Sequence, residues 1–392
     1  MRLASIRVRN VGVFEDTILR LTDGVPANVA SDDETGETGE AGSDDLHEVT
    51  EALVPRPVTV IFGADGIGKT TLLAALSVTR PGYALPPSPY QGIGSAAARP
   101  TALAAANAPA PPDEPAVVVT EWLLGDDDPD RPHPLVVASP SAVLAGETTE
   151  SAGARRREQA IFDRRAQHDG GFVFVGFSGA RWFSRAANLL SVPERSVLRY
   201  DVRHPATFDD PTRADLTRET KQALAYAGIA RALGGDRAEY IHLERFDAAM
   251  RTVVDILLEP FGFTYAGVSP LSLEPEARGP SGNVVSFDAL PRAARHLVAF
   301  GALSLRALFA AYPRAERPQE SEGVVAIDDI ESQQDPALLR VVVPLLRRAL
   351  PNVQWILTTA SSQLAMACDA SEVIALRRTG ERRIEVGEGV LH

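Results

Sequence analysis

The sequence predicts a layered α/β fold with a mostly parallel β-sheet. Short, continuous apolar runs rich in β-branched residues occur at 58–62 and 324–327, and such runs are typical of parallel strands buried on both faces. Between such runs, residues 290–311 carry apolar side chains three or four positions apart, which is the spacing of one helix face. Strands that alternate with helices favour a parallel sheet covered by helices.

The first 21 residues predict an antiparallel β portion that precedes the main sheet. Apolar and polar residues alternate over 3–9, a turn with Gly12 follows, and strand character resumes at 17–21. By the same reasoning we expect further strands at 116–124, 135–138, 172–177, 353–358 and 372–376, and a terminal hairpin at 377–386. Helices are expected at 69–78, 155–165, 214–258 with a break at Gly234-Gly235, 361–368, and from Pro336 onward.

The chain is predicted to form a single domain over residues 1–392, with three regions that depart from the alternating pattern. Residues 31–51 contain nine acidic residues and no Lys or Arg, which predicts a disordered insertion, either a solvated loop or a docking segment for a basic partner. Residues 81–115 are rich in Pro and Ala and predict an irregular loop. Residues 182–285 are predicted to form a helical insert.

Composition narrows the class of protein. With 45% hydrophobic and 23% charged residues, the chain is typical of soluble globular proteins. No run of 18 apolar residues occurs, so no membrane-spanning helix and no membrane partner is expected. The N-terminus lacks the apolar core of a signal peptide, and the lone Cys368 excludes a disulfide framework. These features predict a cytoplasmic location. The net charge of −13 gives no general attraction to nucleic acid.

A phosphate-binding loop is predicted at residues 63–70, GADGIGKT. This segment fits the pattern G-x-x-x-x-G-K-[ST] and lies between a predicted buried strand and a predicted helix, which is the context that the motif requires. Lys69 would reach the β- and γ-phosphates of ATP, and Thr70 would ligate Mg²⁺. The predicted nucleotide-binding residues are Gly63, Ala64, Asp65, Gly66, Ile67, Gly68, Lys69, Thr70, Thr71 and Asn10.

A second acidic motif follows the apolar run at 324–327. Asp328, Asp329 and Glu331 come directly after that run, and side chains at the carboxyl end of such a strand lie beside the ligand site of α/β folds. Asp328 is the predicted Mg²⁺ ligand, directly or through water. Asp329 is the predicted catalytic base for the attacking water. For Glu331 two interpretations stay open, assistance to that water or a cap on the helix that Pro336 begins.

Four segments in family order resemble SMC/RecF/OLD-type ABC ATPases, a group common in bacterial DNA repair and phage defence. Residues 6–16 (IRVRNVGVFED) are similar to the family's IRNFRxFED opening, and 328–336 (DDIESQQDP) resemble its DEIExxLHP segment. Residues 355–364 (WILTTASSQL) resemble its switch strand, and 174–181 (FVGFSGAR) resemble its yigPxR segment. The resemblance implies an ABC/SMC-head fold, ATP and Mg²⁺ as cofactors, and dimerisation.

Several positions depart from the family pattern. The signature LSxGE corresponds to residues 290–295, where Pro291 replaces the serine and Ala293 replaces the glycine. Arg292 or Arg295 could supply positive charge there, or both could be surface residues. The family's catalytic glutamate is Asp329, its switch histidine is Ala360, and its loop arginine is Gly12. Nucleotide binding is therefore expected to survive better than turnover.

Three functions agree with these observations. The first is a slow ATPase that acts as a nucleotide-gated sensor or regulator in a multi-component system such as anti-phage defence, with a separate effector protein, since no second enzymatic module is found. The second is a RecF-like repair ATPase that binds DNA, which the acidic balance disfavours. The third is a nucleotide-binding scaffold without turnover. A homo-oligomer is expected in each case.

Overall fold

A six-stranded sheet forms the centre of the fold. The computed structural model describes residues 1–23, 54–81, 116–131, 133–139, 144, 146–169, 171–187, 215–235, 237 and 240–390. In spatial order the central strands are Ile384–Glu388 (β15), Val373–Arg378 (β14), Val58–Phe62 (β5), Val353–Thr359 (β13), Gly323–Ile327 (β12) and Phe174–Phe177 (β8). Strand β15 is antiparallel to β14, and the other neighbours are parallel. The predicted mostly parallel sheet is thus confirmed.

A four-stranded antiparallel sheet lies against one face of the central sheet. Its strands, in spatial order, are Phe14–Arg20 (β2), Arg2–Val11 (β1), Val117–Leu123 (β6) and Leu135–Ser139 (β7). Two smaller sheets complete the β structure. Thr22–Asp23 (β3) pairs with Val54–Pro55 (β4), and Thr264–Val268 (β9), Pro275–Arg278 (β10) and Val284–Ser286 (β11) form an antiparallel trio.

Helices link the strands and lie on both faces of the central sheet, most of them on the face opposite the four-stranded sheet. They are Lys69–Val78 (α1), Thr149–Asp169 (α2), Thr217–Gly234 (α3), Ile241–Leu258 (α4), Arg292–Ala311 (α5), Val342–Ala349 (α6) and Ser362–Ala365 (α7). Among the described residues, α5 alone has the length and hydropathy of a membrane span, and 89% of that window is buried inside the protein. Helix α5 is therefore the central core helix of this face.

The central strands divide the hydrophobic core into two layers. Trp355 and Leu357 of β13 pack with helices α3 to α6, whereas Ile356 between them packs with α1 and the four-stranded sheet. Both faces are buried because side chains alternate across a strand, which explains why β12 and β13 are continuous apolar runs. Gln354 is the polar exception. Its amide group accepts from the N–H of Leu3 and donates to the Leu3 carbonyl oxygen, at 2.6 and 3.0 Å.

Most predicted elements are present, with shifted ends, and one helix start is wrong. Pro336 does not begin a helix, because a short 3₁₀ turn at Leu338–Arg340 intervenes and α6 begins at Val342. The range 182–285, predicted as a helical insert, contains α3 and α4 and also the strands β9 to β11. The predicted acidic insertion at 31–51 and nearly all of the predicted loop at 81–115 lie outside the described residues.

Candidate nucleotide-binding site

The glycine loop connects the carboxyl end of β5 to the first residue of α1. Gly66 and Gly68 have φ angles of 75° and 97°, a left-handed conformation that costs a side-chain-bearing residue roughly 1–2 kcal/mol. The first N–H groups of α1 have no acceptor within the helix, so they are available to an anion at this loop. Sequence and backbone together therefore produce an anion cradle at residues 63–70.

The turn between β1 and β2 packs directly on this loop. A Cβ on Gly68 would lie 2.6 Å from the Phe14 ring, so only glycine fits there. A Cβ on Gly12, at the tip of the turn, would lie 3.3 Å from Thr71. Asn10, at the start of the same turn, has a φ of 53°. The structure thus brings this turn, with Asn10, to the start of α1, where Thr71 lies.

Lys69 is held inside the loop by its own backbone. The side chain is 6% exposed, and its Nζ donates to the carbonyl oxygens of Gly63 and Ala64 at 2.7 and 3.1 Å. The Asp65 carboxylate, 96% exposed, lies 3.8 Å from the same nitrogen. The loop therefore orients a buried positive charge at the position where phosphates would lie.

A chain of hydrogen bonds joins α1 to the ends of β12 and β13. Thr70 Oγ1 donates to Asp328 Oδ2 at 2.7 Å, and Thr358 Oγ1 donates to Asp328 Oδ1 at 2.6 Å. Asp328 is 2% exposed, so both carboxylate oxygens are fixed in place. The sequence motifs identified Thr70 and Asp328, and Thr358 was not among the predicted site residues. In the sequence, the position of Thr358 at the end of a predicted buried strand is the feature that could have identified it as a site residue.

Asp329 adopts a backbone conformation that glycine, asparagine and aspartate tolerate best. Its φ is 45°, and its N–H donates to Thr358 Oγ1 at 2.8 Å. Burial, followed by the charges of Asp328 and Glu331, raises the pKa of Asp329 above its ordinary value. A carboxylate with a raised pKa is a better proton acceptor. The left-handed backbone thus explains why an aspartate fits at this position.

Glu331 contacts the switch strand and does not cap a helix. Its Oε1 accepts from the N–H of Ala360 at 2.6 Å, while its Oε2 is buried and has no hydrogen-bond partner among the residues that the structure describes. The predicted alternative, a cap on a helix beginning at Pro336, is wrong because that helix does not form there. Glu331 therefore links the loop after β12 to the end of β13.

Arg181 is a site residue that sequence reasoning did not select. It is 1% exposed, and its guanidinium donates to the carbonyl oxygens of Ser178, Asp328 and Asp329 at 3.0, 2.5 and 2.7 Å. Burial lowers the pKa of Arg181 to about 10, against the opposing charges of Asp328, Asp329 and Glu331. In the sequence, the position of Arg181 at the end of the FVGFSGAR segment is the feature that could have identified it as a site residue.

Arg181 holds the loop after β8 against the acidic motif. A Cβ on the neighbouring Gly179 would lie 2.9 Å from Asp329 Oδ2 and 3.2 Å from Asp328 Oδ2. The glycine therefore allows the backbone to approach both carboxylates. Together, Arg181 and Gly179 close one side of the site.

The start of α5 lies beside the loop that follows β12. Arg292, the first residue of α5, donates to Gln333 Oε1 at 2.7 Å in an exposed position. The Arg295 guanidinium lies over the Phe183 ring at 5.2 Å. Pro291 precedes the helix without a side-chain cap. In the described part of the chain, neither arginine forms a hydrogen bond or ion pair with residues 63–70, so the prediction that both are surface residues fits this arrangement.

The donor set at Thr70 and Asp328 suits Mg²⁺. A hydroxyl and a carboxylate oxygen 2.7 Å apart are hard ligands of the kind that Mg²⁺ prefers, with substrate phosphates and water completing the coordination. Within the described part of the chain, no group of three or more His, Cys, Asp or Glu side chains could hold a metal alone. The residues present therefore fit Mg²⁺ held jointly with a nucleotide.

The fold is the ABC-type ATPase fold of SMC head domains. An SMC head bound to the C-winged helix domain of ScpA aligns with 100% of this chain and 98% of its own, at 14% identity and a TM-score of 0.50. The Thermotoga maritima SMC head domain aligns at 13% identity, with full coverage of both chains and a TM-score of 0.46. No family model and no curated protein matches the sequence.

A third solved structure extends the same likeness. A Pyrococcus furiosus Smc head with an extended coiled coil, bound to the C-terminal domain of ScpA, aligns at 15% identity with a TM-score of 0.47. It covers 99% of this chain and 96% of its own. The low identities limit the likeness to the fold. The chain therefore shares the architecture of these head domains, and its chemistry is argued from its own residues.

Proposed function

We propose that the protein binds ATP with Mg²⁺ at residues 63–70 and acts as a slow, nucleotide-gated switch. The observation that carries the proposal is the hydrogen bond from Thr70 to Asp328. It is 2.7 Å long and joins two residues that are 258 positions apart in the sequence. It joins the glycine loop to the acidic strand end, which is the pairing that holds Mg²⁺ in P-loop ATPases. Two motifs found independently in the sequence therefore converge on one buried point.

Each residue has a distinct part in binding. Lys69 would hold phosphate oxygens, and the N–H groups at the start of α1 would add to that cradle. Thr70 and Asp328 would hold Mg²⁺, with Thr358 keeping the Asp328 carboxylate in position. Bound Mg²⁺ supplies neutralisation of phosphate charge. Asp329 would accept a proton from the attacking water, and its raised pKa supports that role.

Slow turnover follows from three positions around this site. Asp329 is one methylene shorter than glutamate and is tied to a left-handed backbone, so its reach toward a water is limited. Ala360 offers only its N–H, which Glu331 already occupies. Pro291 has no N–H and no hydroxyl to offer a phosphate. These features favour prolonged occupancy by ATP, which is what a nucleotide-gated switch requires.

A homo-oligomer and a separate partner protein are part of this proposal. Two of the similar SMC heads were solved bound to domains of ScpA, which supports a partner protein for this chain by analogy of fold. DNA binding, an anti-phage setting and a cytoplasmic location stay predictions from the sequence, and no feature of the described residues favours the DNA-binding alternative.

Phosphate release by the purified full-length chain with ATP and Mg²⁺ tests the proposal. We expect turnover well below roughly 1 s⁻¹, the low end of typical enzymes, with complete loss in Lys69→Ala and Asp328→Ala. Rapid hydrolysis by the isolated protein would contradict a slow switch. Nucleotide-dependent oligomers without any phosphate release would identify a scaffold instead.

The double variant Asp329→Glu with Ala360→His restores the family's residues and tests why turnover is slow. We expect phosphate release to rise by about 10- to 100-fold, since a positioned acid–base group contributes at least that much. The left-handed backbone at 329 will reduce the gain by disfavouring glutamate. ATP affinity, measured in parallel, should match that of the wild type. An unchanged rate would show that other positions limit hydrolysis.

A further inference from the structure

The end of strand β13 is tied to the acidic motif by several hydrogen bonds. The Thr358 hydroxyl group makes two of them, and the Thr358 carbonyl oxygen accepts from the N–H of Ile330 at 3.0 Å. The N–H of Ala360 donates to Glu331. Thr358 and Asp328 are 30 positions apart in the sequence, and they meet because β12 and β13 are parallel neighbours. The end of β13 therefore holds the acidic motif from Asp328 to Glu331.

A single hydroxyl group contacts both residues that are proposed to act on Mg²⁺ and water. Thr358 Oγ1 donates to Asp328 Oδ1 at 2.6 Å and accepts from the N–H of Asp329 at 2.8 Å. A hydroxyl group can donate and accept at the same time, whereas an aliphatic side chain can do neither. Thr358 is 0% exposed, so solvent has no access to replace either contact.

The hydroxyl group fixes the orientation of the Asp328 carboxylate. The last torsion angle of an aspartate side chain has only a broad intrinsic preference, so neighbouring groups must set it. Thr358 holds Oδ1, which directs Oδ2 toward Thr70, whose hydroxyl group lies 2.7 Å away. Without the contact to Oδ1, the carboxylate could rotate away from the glycine loop.

The same hydroxyl group also holds Asp329 in its left-handed backbone conformation. The φ of Asp329 is 45°, and this conformation is unfavourable for a residue with a side chain. Thr358 binds the N–H of Asp329, and Arg181 donates to its carbonyl oxygen at 2.7 Å. The peptide groups on both sides of Asp329 are thus fixed, and they set the direction of its side chain.

We propose that Thr358 is the positioning residue that aligns the Mg²⁺ ligand Asp328 with the base Asp329. The inference rests on the proposed function, which assigns Mg²⁺ to the first residue and the attacking water to the second. It adds that both roles depend on one buried hydroxyl group. Loss of that group weakens Mg²⁺-dependent binding and turnover together. Nucleotide binding without Mg²⁺ is retained, because it depends on Lys69 and the N–H groups of α1.

A second buried threonine of the central sheet provides a matched control. Thr59 lies in β5, the strand beside β13, and is also 0% exposed. Its Oγ1 has no hydrogen-bond partner among the described residues. Thr59→Val therefore makes the same chemical change as Thr358→Val without removing a contact to the acidic motif.

Equilibrium binding of the non-hydrolysable analogue AMP-PNP to the full-length chain, with and without Mg²⁺, tests the inference. Thr358→Val keeps the shape of the side chain and loses the hydroxyl group, whereas Thr358→Ser keeps the hydroxyl group. We expect Mg²⁺ to raise the affinity of the wild type, Thr358→Ser and Thr59→Val. This gain should fall by at least about tenfold in Thr358→Val, as for the loss of a hydrogen bond to a charged group. Affinity without Mg²⁺ should change by less than about threefold.

Phosphate release by the same proteins gives a second readout. At saturating ATP and Mg²⁺, kcat of Thr358→Val should fall by at least about tenfold, because the base is no longer held in its orientation. Thr358→Ser should recover most of the wild-type rate. Thr358→Ala is a second variant without the hydroxyl group, and it replaces Thr358→Val if a circular dichroism spectrum shows that the latter is unfolded.

Each contrary outcome has a separate meaning. A wild-type gain from Mg²⁺ in folded Thr358→Val would overturn the inference and leave the proposed function intact. An equal loss in Thr59→Val, or in Thr358→Ser, would assign the effect to packing and would also overturn it. A wild-type protein whose nucleotide affinity does not respond to Mg²⁺ would overturn the proposed function, and this inference with it.

Discussion

The two sides of the candidate nucleotide site differ in how their residues are held and in what they can do. On the glycine-loop side, Lys69 donates to backbone carbonyl oxygens at 2.7 and 3.1 Å and Thr70 donates to Asp328 at 2.7 Å, and both Lys69 and Asp328 are buried. On the α5 side, Pro291 offers no donor, and Arg292 makes an exposed contact with Gln333. Under the proposed function, binding and turnover would therefore depend on separate groups, and the first could be kept while the second weakens.

Lys69→Ala should produce the largest effect. A small effect would contradict the assignment of nucleotide binding to the glycine-loop side. It removes the buried positive charge of the loop, so ATP affinity should fall by at least about 100-fold, the loss of two charge-assisted contacts to phosphate. Equilibrium binding of ATP measures this. Arg383→Ala, on an exposed residue between β14 and β15, is the control. Unaltered ATP affinity in Lys69→Ala would place the nucleotide elsewhere.

Arg181→Ala should destabilise the whole protein by about 3 kcal/mol or more. The change removes the guanidinium that donates to the buried carbonyl oxygens of Ser178 and Asp328, at roughly 1–3 kcal/mol for each, whereas the Asp329 carbonyl oxygen keeps the Ser332 N–H as a donor. Denaturant-induced unfolding measures the loss. Arg185→Ala, an exposed neighbour, should change stability by less than about 0.5 kcal/mol. Equal stabilities for the two variants would show that Arg181 does not brace the acidic motif.

The start of α5 should make stability sensitive to mild acid through His296. Burial lowers the pKa of His296 to about 4 from its ordinary 6.5, and its Nδ1 lies 2.9 Å from the Arg292 carbonyl oxygen. Between these two pH values the unfolded chain binds a proton that the folded chain does not. Stability should therefore fall as the pH drops from about 6.5 to about 4, by up to about 3 kcal/mol.

His296→Gln removes the titrating group and should flatten that dependence. Unfolding free energy measured at several pH values between 4 and 7 gives the slope for each protein. His133→Gln, on an exposed histidine, is the matched control and should keep the wild-type slope. A slope that survives in His296→Gln would assign the dependence to other groups.

Arg292→Ala should produce the smallest effect. It tests whether the α5 side of the site contributes to a contact between protomers. Its hydrogen bond to Gln333 is exposed, so stability should change by less than about 0.5 kcal/mol. ATP affinity of the isolated chain should not change. Sedimentation with and without ATP adds the decisive readout: a selective loss of ATP-dependent oligomers would assign Arg292 to a contact between protomers.

Much of the fold could be predicted because its signals are local. Buried strands are continuous apolar runs, helices repeat every three to four residues, and the glycine loop needs glycines at fixed spacing. The start of α6 was misplaced since Pro336 is compatible with a helix start and also with the 3₁₀ turn that forms. The strands β9 to β11 were missed because they are short and mostly half-exposed.

By itself, the sequence determined the phosphate loop, the acidic strand end and the layered α/β class, because residue spacing and periodicity along the chain specify them. Only the tertiary structure decided that Arg181 braces the acidic motif 147 residues away and that Thr358 orients Asp328. Such contacts join distant segments through sheet order and helix packing. These contacts depend on many residues along the chain, so no local sequence pattern predicts them.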